Sequence, residues 1–334
     1  MSKFTVIGAG AWGTALALVL AKSSEKNQHD VFLYTQEQSH ADEMERTRAN
    51  FKYIPNVLFP KNIKISRDLD QDINHSDTVL IAVPSHAFRK VLIKIQKFLK
   101  PHHGVIWATK GLDPETGEFL NNTAQKILSH DHPLAVLTGP SFAKEVAAGQ
   151  PTAVLIASNN LNFAKEMQEA FQDKYFRTYL CDDFIGAQIG GAVKNIMAIA
   201  VGLADGLGFG SNTKAALITR ALAEMTRLGV ALGAKRETLS GLSGLGDLIL
   251  TCSDNQSRNR KFGYLLGQGK NIKQGLEEVA QIVEGYENCK TVFNLSTKLN
   301  IEMPIVSQMY EVLYQDLNPK EAVINLLTRS VGFE

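Results

Sequence analysis

The sequence is poor in cysteine. Its 334 residues include 3 cysteines, Cys181, Cys252 and Cys289, which lie far apart and form no C-x-x-C pair. An odd and scattered set of cysteines argues against a disulfide framework and against a structural zinc site. We therefore expect a cytoplasmic protein that folds in a reducing environment, and no metal site.

The sequence also lacks an excess of charge of either sign. It has 35 Lys and Arg against 34 Asp and Glu, which gives a formal net charge of +1. Such a balance argues against a broad nucleic-acid footprint, so no nucleic-acid partner is expected. The length and the hydrophobic content of 44% are typical of a globular protein with more than one small domain.

One apolar run, from Phe4 to Ala21, could be mistaken for a signal peptide or a short membrane span. Three glycines, Gly8, Gly10 and Gly13, interrupt it in a pattern that favours a buried strand, a turn and a helix. No other run is predicted to reach membrane-spanning length. We therefore expect no membrane span.

Short apolar runs alternate with helical patterns in the first half of the chain. They end at Gly, Pro or Asp, as buried parallel strands do. The six predicted strands cover residues 4–7, 31–34, 78–83, 105–108, 134–137 and 153–157. Helices are predicted at 14–22 and, later, at 184–201, 215–232, 276–282, 291–299, 305–314 and 319–327.

This pattern predicts an α/β protein of two domains. Residues 1–182 would form a Rossmann-like, doubly wound sheet, since strands alternate with helices there. Residues 183–334 would form a mostly α-helical C-terminal domain, since strand signals nearly vanish after Asp182. The polar spacer from residue 22 to 30 is predicted to be an exposed loop.

Gly8, Gly10 and Gly13 form a G-x-G-x-x-G motif between the first predicted strand and its helix. Gly8 would permit the tight turn, Gly10 the approach of a pyrophosphate, and Gly13 the close packing of helix on strand. The N–H groups at the start of the helix would bind the phosphates. This context favours a dinucleotide site over a plain glycine turn.

The end of the second predicted strand bears on the choice between NAD and NADP. An acidic residue there would bind the ribose 2′-hydroxyl of NAD. Here the strand is followed by Gln36, and the first acid is Glu37, one position late. Arg46 and Arg48 could pair with a 2′-phosphate, although solvated helix surface is the favoured interpretation. The sequence therefore permits either cofactor.

Residues beyond the carboxyl ends of strands are ligand candidates in an open α/β sheet. Lys110 follows the fourth predicted strand, and the segment from Gly139 to Ser141 follows the fifth. A lysine at the end of a buried strand should emerge at the cofactor edge, and an ordinary surface lysine is the alternative.

Lys194 and Asn195 interrupt a helix that is otherwise built of small and apolar residues. Burial would lower the pKa of Lys194 and suit it to proton transfer, whereas a lysine that extends from the helix edge to solvent is the alternative. Asp247 lies in a glycine-rich loop. It could pair with Lys194, or it could only cap the following turn.

The segment from Asn255 to Lys261 is the strongest signal for an anion. Arginine presents a planar fork that holds two phosphate oxygens, and the serine and asparagines add donors. At the start of a helix, backbone N–H groups would join the site. A solvated basic surface is the alternative.

Six segments together resemble the bacterial type of NAD(P)-dependent glycerol-3-phosphate dehydrogenase. They follow in order over nearly the whole chain and are residues 8–17, 107–111, 139–143, 191–195, 244–247 and 255–259. The set is highly specific, although the glycine motif alone is not.

The resemblance implies a role for particular residues. Lys194 matches the family's proton donor and acceptor, and Lys110 and Asp247 match further residues of the catalytic site. The implied cofactor-binding residues are Gly8, Gly10, Ala11, Trp12, Gly13, Gln36, Lys110, Ala143, Arg258, Ile282 and Glu284. The implied substrate-binding residues are Lys110, Gly139, Ser141, Lys194, Asn195, Asp247, Ser257, Arg258 and Asn259.

The activity that the resemblance implies is the reversible reduction of dihydroxyacetone phosphate to sn-glycerol 3-phosphate by NADH or NADPH, which supplies the backbone of phospholipids. One alternative is a β-hydroxyacid or 6-phosphogluconate-type dehydrogenase, which shares the two-domain plan and the Lys-Asn pair. The other is a non-catalytic module that senses NAD. The apolar helix faces are compatible with a homodimer.

Overall fold

The computed structural model describes residues 2–22, 29–128 and 132–329. Its contacts divide the chain into two compact units. The first comprises Met1–Asp113 and Glu118–Ala187, and the second comprises Pro114–Gly117 and Gln188–Glu334. The domain boundary between residues 182 and 183 stays a prediction, and most of the predicted spacer from 22 to 30 lies outside the described residues.

The first unit is built on an eight-stranded sheet with the order β10-β9-β8-β7-β6-β1-β2-β5, and β3 and β4 form a separate antiparallel pair. The strands are β1 (Lys3–Ile7), β2 (Asp30–Tyr34), β3 (Ala49–Asn50), β4 (Ile54–Leu58), β5 (Ile63–Ser66), β6 (Thr78–Ile81), β7 (Gly104–Trp107), β8 (Leu134–Thr138), β9 (Thr152–Ser158) and β10 (Phe176–Cys181). Taken from the β5 edge, the spatial order β5-β2-β1-β6-β7-β8 is that of a doubly wound nucleotide-binding sheet.

Helices cover both faces of this sheet. They are α1 (Ala11–Lys22), α2 (Gln38–Thr47), α3 (Leu69–Asn74), α4 (Ser85–Ile95), α5 (Leu120–Leu128), α6 (Ala143–Ala147) and α7 (Leu161–Phe171). Alternate residues of one strand belong to different apolar clusters: Leu80 packs in one, and Val79 and Ile81 pack in the other. Burial on both faces explains the continuous apolar runs, and the Rossmann-like prediction is confirmed.

Two details of the sheet differ from the prediction. β9 pairs antiparallel with β8, whereas we expected parallel strands throughout. The strands β3, β4, β5 and β10 were not predicted. β5 and β10 lie at the two edges of the sheet, where only one face is well covered, so Lys64, Arg177 and Tyr179 break up the apolar pattern.

Residues 184–329 contain helices and no named strand. The helices are α8 (Phe184–Gly206), α9 (Ser211–Ala231), α10 (Arg236–Leu239), α11 (Asp247–Ser253), α12 (Arg258–Gly267), α13 (Ile272–Val279), α14 (Glu284–Lys298), α15 (Pro304–Tyr314) and α16 (Pro319–Leu327). A π-helical turn, Leu242–Gly246, precedes α11. The predicted helix at 276–282 is wrong in its bounds, because Ala280 adopts a left-handed conformation (φ 55°) and ends α13.

Among the described helices, α8 is long and apolar enough to cross a membrane by length and composition alone. The prediction that no second run reaches that length is therefore wrong. In the structure, 89% of its most apolar 18-residue window is buried inside the protein. The core helix of a globular protein can be equally long and apolar, and α8 is buried as such a core helix is.

The glycines of α8 let other backbone segments approach it closely. A Cβ at Gly190 would lie 1.8 Å from the Ser243 carbonyl oxygen, and one at Gly202 would lie 2.0 Å from the Arg260 carbonyl oxygen. Neither distance is possible for a real side chain. The small-residue pattern of this helix therefore serves helix packing, and it brings the π-helical turn against α8.

A buried carboxyl in the second unit should make stability depend on pH. Glu224, on α9, is 2% exposed and accepts hydrogen bonds from the backbone N–H groups of Ile305 (2.6 Å) and Val306 (3.3 Å). Burial raises the pKa of Glu224 from 4.5 to about 7 and outweighs these two bonds. The fold thus favours the protonated acid, so its contribution is complete below about pH 4.5 and is lost as the pH rises to about 7.

We expect Glu224→Gln to remove this loss. From the pKa difference, the wild-type protein should lose about 3 kcal/mol of unfolding free energy over that pH range relative to the variant. Denaturant unfolding at several pH values checks this, with Glu277→Gln as the control because Glu277 is exposed on α13. Parallel pH profiles for wild type and Glu224→Gln would contradict the assignment.

Candidate active site

The glycine loop joins β1 to α1 at the point where the strand order reverses. Gly8 has φ +114°, and a Cβ there would lie 2.6 Å from the Ala82 carbonyl oxygen beside β6. A Cβ at Gly13 would lie 1.9 Å from the Gly8 carbonyl oxygen. The tight turn and the close helix packing that the motif predicts are therefore present.

Gly10 differs from the other two glycines of the loop. A Cβ at Gly10 would meet nothing within 4 Å, so the space beside it is open. It stands directly before the N-terminus of the 12-residue helix α1, whose first N–H groups have no partners within the helix. Ala11 and Trp12 begin α1 and, like Ala143 at the start of α6, are partly buried against one sheet face. The loop fits a dinucleotide pyrophosphate.

The segment after β2 carries the predicted ribose contact. Gln36 is exposed between β2 and α2. Glu37 pairs with Lys52 at 3.0 Å, and this hydrogen bond lowers the pKa of the exposed Glu37 carboxyl. Arg48 donates to the carbonyl oxygens of Pro60 (2.7 Å) and Ile63 (2.9 Å), so it is neither solvated helix surface nor turned to a ligand.

A second cluster lies beyond the ends of the adjacent strands β7 and β8. The Lys110 ammonium donates to the Gly139 carbonyl oxygen at 3.2 Å, and the Ser141 hydroxyl donates to the same oxygen at 3.0 Å. Gly139 has φ +130°, which favours glycine. The structure thus brings together Lys110 and the segment from Gly139 to Ser141, which were predicted from separate strand ends.

In the second unit, Lys194 is buried with a carboxylate. It is 6% exposed, and its Nζ lies 2.5 Å from Oδ1 of Asp247, which is fully buried, and 2.9 Å from Oγ1 of Thr251. The Thr251 hydroxyl in turn donates to the Asp247 carbonyl oxygen at 2.6 Å. The adjacent carboxylate stabilises the ammonium and fixes its orientation. Asp247 therefore pairs with Lys194, although it is also the first residue of α11.

Cys252 follows Thr251 in α11 and is fully buried. Burial raises the pKa of its thiol to about 12, more than the nearby Lys194 charge lowers it. The thiol is therefore protonated at neutral pH and adds no charge beside the Lys194–Asp247 pair.

Asn195 belongs to a hydrogen-bonded chain that joins three helices. Its side-chain carbonyl accepts from the Asn259 amide (3.0 Å), and its own amide donates to Glu284 (3.2 Å). The Asn259 carbonyl accepts from the Gly285 N–H at 2.8 Å. The residues at the starts of α12 and α14 are thus fixed relative to Lys194. Ile282, just before α14, is 42% exposed.

The basic segment before and within α12 contains two arginines in different surroundings. Arg260 is buried, and its guanidinium pairs with Asp205 and with Asn255. Arg258 is exposed at the first position of α12. Ser257 is the N-cap residue, and its hydroxyl accepts from the Arg260 N–H at 3.2 Å. Arg258 is thus the arginine of this segment that a ligand can reach.

No group of three or more His, Cys, Asp and Glu side chains that could hold a metal ion occurs among residues 2–22, 29–128 and 132–329. The described clusters present ammonium, guanidinium, carboxylate, amide, hydroxyl and backbone N–H groups. They can bind anions, and Lys194 can exchange a proton.

Comparison with known proteins places both halves of the chain in one family. The family model described as "NAD-dependent glycerol-3-phosphate dehydrogenase N-terminus" matches residues 3–164, and its C-terminus counterpart matches residues 183–324. A protein of Bartonella tribocorum named "Glycerol-3-phosphate dehydrogenase [NAD(P)+]" is 51% identical over 331 residues, which cover 99% of this chain and 98% of the relative. This chain belongs to the NAD-dependent glycerol-3-phosphate dehydrogenase family.

Further relatives agree with the family assignment. A protein of the same name from Colwellia psychrerythraea is 49% identical over 334 residues, covering 100% of this chain and 99% of that one. The crystal structure of glycerol-3-phosphate dehydrogenase from Coxiella burnetii has a TM-score of 0.94 and 46% identity, covering 98% of this chain and 99% of that one. A D-mandelate dehydrogenase structure with 14% identity and a TM-score of 0.64 shares the fold alone.

Sequence reasoning missed Thr251 in this member of the glycerol-3-phosphate dehydrogenase family. Its hydroxyl contacts Lys194, and it lies four residues after Asp247 on α11. Residues four apart lie on the same face of a helix, so the spacing from Asp247 was a usable signal. The roles of the other candidate residues stay predictions.

Proposed function

We propose that this protein catalyses the reversible reduction of dihydroxyacetone phosphate to sn-glycerol 3-phosphate with NADH or NADPH, and so supplies the backbone of phospholipids. The observation that carries the proposal is the buried Lys194 ammonium, held by Asp247 and Thr251. Membership of the glycerol-3-phosphate dehydrogenase family and the glycine loop of the first unit support it.

The cofactor would bind at the glycine loop of the first unit. The loop at Gly8, Gly10 and Gly13, with the start of α1 at Ala11 and Trp12, would bind the pyrophosphate. The remaining proposed cofactor contacts are Gln36, Lys110, Ala143, Arg258, Ile282 and Glu284. When bound, the reduced nicotinamide supplies the hydride for the C2 carbon of the substrate.

Lys194 would supply the proton. During reduction, negative charge develops on the C2 ketone oxygen, and proton transfer from Lys194 Nζ converts it to the hydroxyl. In the reverse direction, neutral Lys194 takes that proton back. Asp247 would hold the ammonium in place, and Lys110 is proposed as a further positive charge of the catalytic site.

The start of α12 would bind the substrate phosphate. The Arg258 guanidinium can hold two phosphate oxygens, and the first backbone N–H groups of this 10-residue helix add donors. The Asn259 side chain is engaged with Asn195 and Gly285, so Asn259 would bind through its backbone N–H. Ser257 and Asn195 would shape the site, and Gly139 and Ser141 would contact the substrate.

The function test is the loss of reduced-nicotinamide absorbance with dihydroxyacetone phosphate, measured separately with NADH and NADPH. We expect turnover that requires the phosphorylated ketone. Oxidation of a 3-hydroxy acid without reaction of dihydroxyacetone phosphate would support a β-hydroxyacid dehydrogenase instead. Cofactor binding without any turnover would support a sensing module.

Three features of the molecule belong to the same proposal. We place the boundary of the cofactor domain at residue 182 and the substrate domain at 183–334. We propose a cytoplasmic enzyme, in keeping with the small number and scattered positions of its cysteines, Cys181, Cys252 and Cys289. We also propose a homodimer, which sedimentation would test.

A further inference from the structure

A buried asparagine outside the glycine motif touches the cofactor loop. Asn50, in the short strand β3, has no exposed surface. Its Nδ2 donates to the carbonyl oxygen of Ala9, between Gly8 and Gly10, at 2.9 Å. The same Nδ2 donates to the Thr14 hydroxyl at 2.8 Å. One amide thus contacts both the loop and the first turns of α1.

The other end of the Asn50 side chain reaches α2. Its Oδ1 is 3.0 Å from Nε2 of His40, which is 5% exposed and lies edge-on to Tyr53 with ring centroids 5.7 Å apart. α2 begins at Gln38, two residues after Gln36. Asn50 therefore connects the glycine loop with the element that follows the predicted ribose contact.

The bond to Ala9 has a consequence for the next N–H group. The carbonyl of Ala9 and the N–H of Gly10 belong to one peptide unit, which is trans and planar, so the two groups point in opposite directions. Because Asn50 fixes the carbonyl in the interior, it turns the Gly10 N–H away from the interior. Gly10 is also the position beside which the space is open.

We propose that Asn50 is a positioning residue for the cofactor, which orients the Ala9–Gly10 peptide so that the Gly10 N–H donates to the pyrophosphate. This proposal rests on the use of a dinucleotide in the proposed function. Since the pyrophosphate is common to NADH and NADPH, Asn50 acts on both cofactors equally. Gln36, by contrast, would act on the ribose and change the preference between them.

The structure offers a matched control at the other end of α1. Asn62 is partly buried, and its Nδ2 donates to the carbonyl oxygens of Ala21 (2.9 Å) and His29 (2.7 Å). It makes the same kind of bond to the same helix, but far along the chain from the glycine loop. A change at Asn62 should cost stability without changing cofactor affinity.

The experiment measures the Kd of NADH and of NADPH by nicotinamide fluorescence for wild type, Asn50→Asp, Asn50→Ala and Asn62→Asp. An unsatisfied buried group costs enough that we expect both Kd values to rise roughly tenfold in the Asn50 variants. The ratio of the two Kd values should not change, and kcat at saturating cofactor should stay near the wild-type value. Asn62→Asp should lower Tm and keep both Kd values.

The proposal is overturned if the Asn50 variants shift Kd no more than Asn62→Asp does, if they change the NADH to NADPH ratio, or if they lower kcat at saturating cofactor. Should neither Asn50 variant fold, Asn50→Ser decides, because it keeps a polar group at this position but is shorter by one bond and so loses the hydrogen bond to the Ala9 carbonyl. A raised Kd then supports the proposal and an unchanged Kd overturns it. Wild-type binding of NADH without reduction of dihydroxyacetone phosphate would refute the proposed function and leave this inference standing.

Discussion

Replacing Lys194 by alanine should lower kcat by roughly 10²- to 10⁴-fold, which is the range that a positioned general acid contributes. The ammonium is buried, and Asp247 and Thr251 fix it at 2.5 and 2.9 Å. The methyl side chain of alanine has no acidic proton that it could donate to the ketone oxygen. The Kd of NADH should not change, because Lys194 is not one of the proposed cofactor contacts.

Turnover is measured at saturating dihydroxyacetone phosphate, and the Kd of NADH is measured by fluorescence. Lys270→Ala is the control, since Lys270 forms an exposed ion pair with Glu278 in the same unit. It should have wild-type kcat. Lys194→Arg should be nearly as inactive as Lys194→Ala, because a guanidinium keeps its proton. Normal turnover in Lys194→Ala would refute the role of Lys194.

The alanine variant leaves the Asp247 charge buried without its lysine, which can cost several kcal/mol of stability. A double variant, Lys194→Met with Asp247→Asn, removes both charges and keeps most of the volume. It should melt nearer to wild type than Lys194→Ala and be equally inactive. This comparison separates loss of the proton donor from loss of the fold.

Arg258→Ala should raise the KM for dihydroxyacetone phosphate by about 100-fold, the value of two hydrogen bonds to a charged group. Arg258 is exposed at the first position of α12, where its fork and the helix N-terminus can act on one phosphate. Reduction of dihydroxyacetone itself, measured at saturating cofactor because Arg258 is also a proposed cofactor contact, should be unaffected, since that ketone carries no phosphate. The measurement is kcat/KM for the two ketones in wild type and variant.

Arg236→Ala is the matched control for Arg258→Ala. Arg236 is also exposed, and it is also the first residue of a helix, α10. Its loss should leave both ketones unchanged. An equal loss of kcat/KM for dihydroxyacetone and its phosphate in Arg258→Ala would show that Arg258 does not hold the phosphate.

Local patterns predicted the parts of the fold that depend on local chemistry. Gly8 and Gly13 were assigned a turn and a close approach, and the structure has φ +114° at Gly8 and a backbone oxygen where a Gly13 Cβ would stand. The helix at 319–327 was predicted with its observed bounds, because Pro319 marks its first turn. Such features follow from the chemistry of one or two residues.

Strand direction and edge strands were not readable from local patterns. β9 runs antiparallel to β8, and the connection between them contains only the five-residue helix α6. The direction of β9 relative to β8 depends on how that connection packs, and no residue type within β9 indicates this direction. β10 was missed because Arg177 and Tyr179 face solvent at the sheet edge.

In the candidate site, too, some features follow from local sequence and others depend on tertiary packing. The residue types alone predicted a glycine loop, a lysine among small residues and a basic segment before a helix. The pairing of Lys194 with Asp247, 53 residues away, and the burial of Arg260 with Asp205 while Arg258 is exposed could be seen only in the folded chain. A side chain's charge and donors come from its own chemistry, whereas its partners and its burial depend on which distant segments pack beside it.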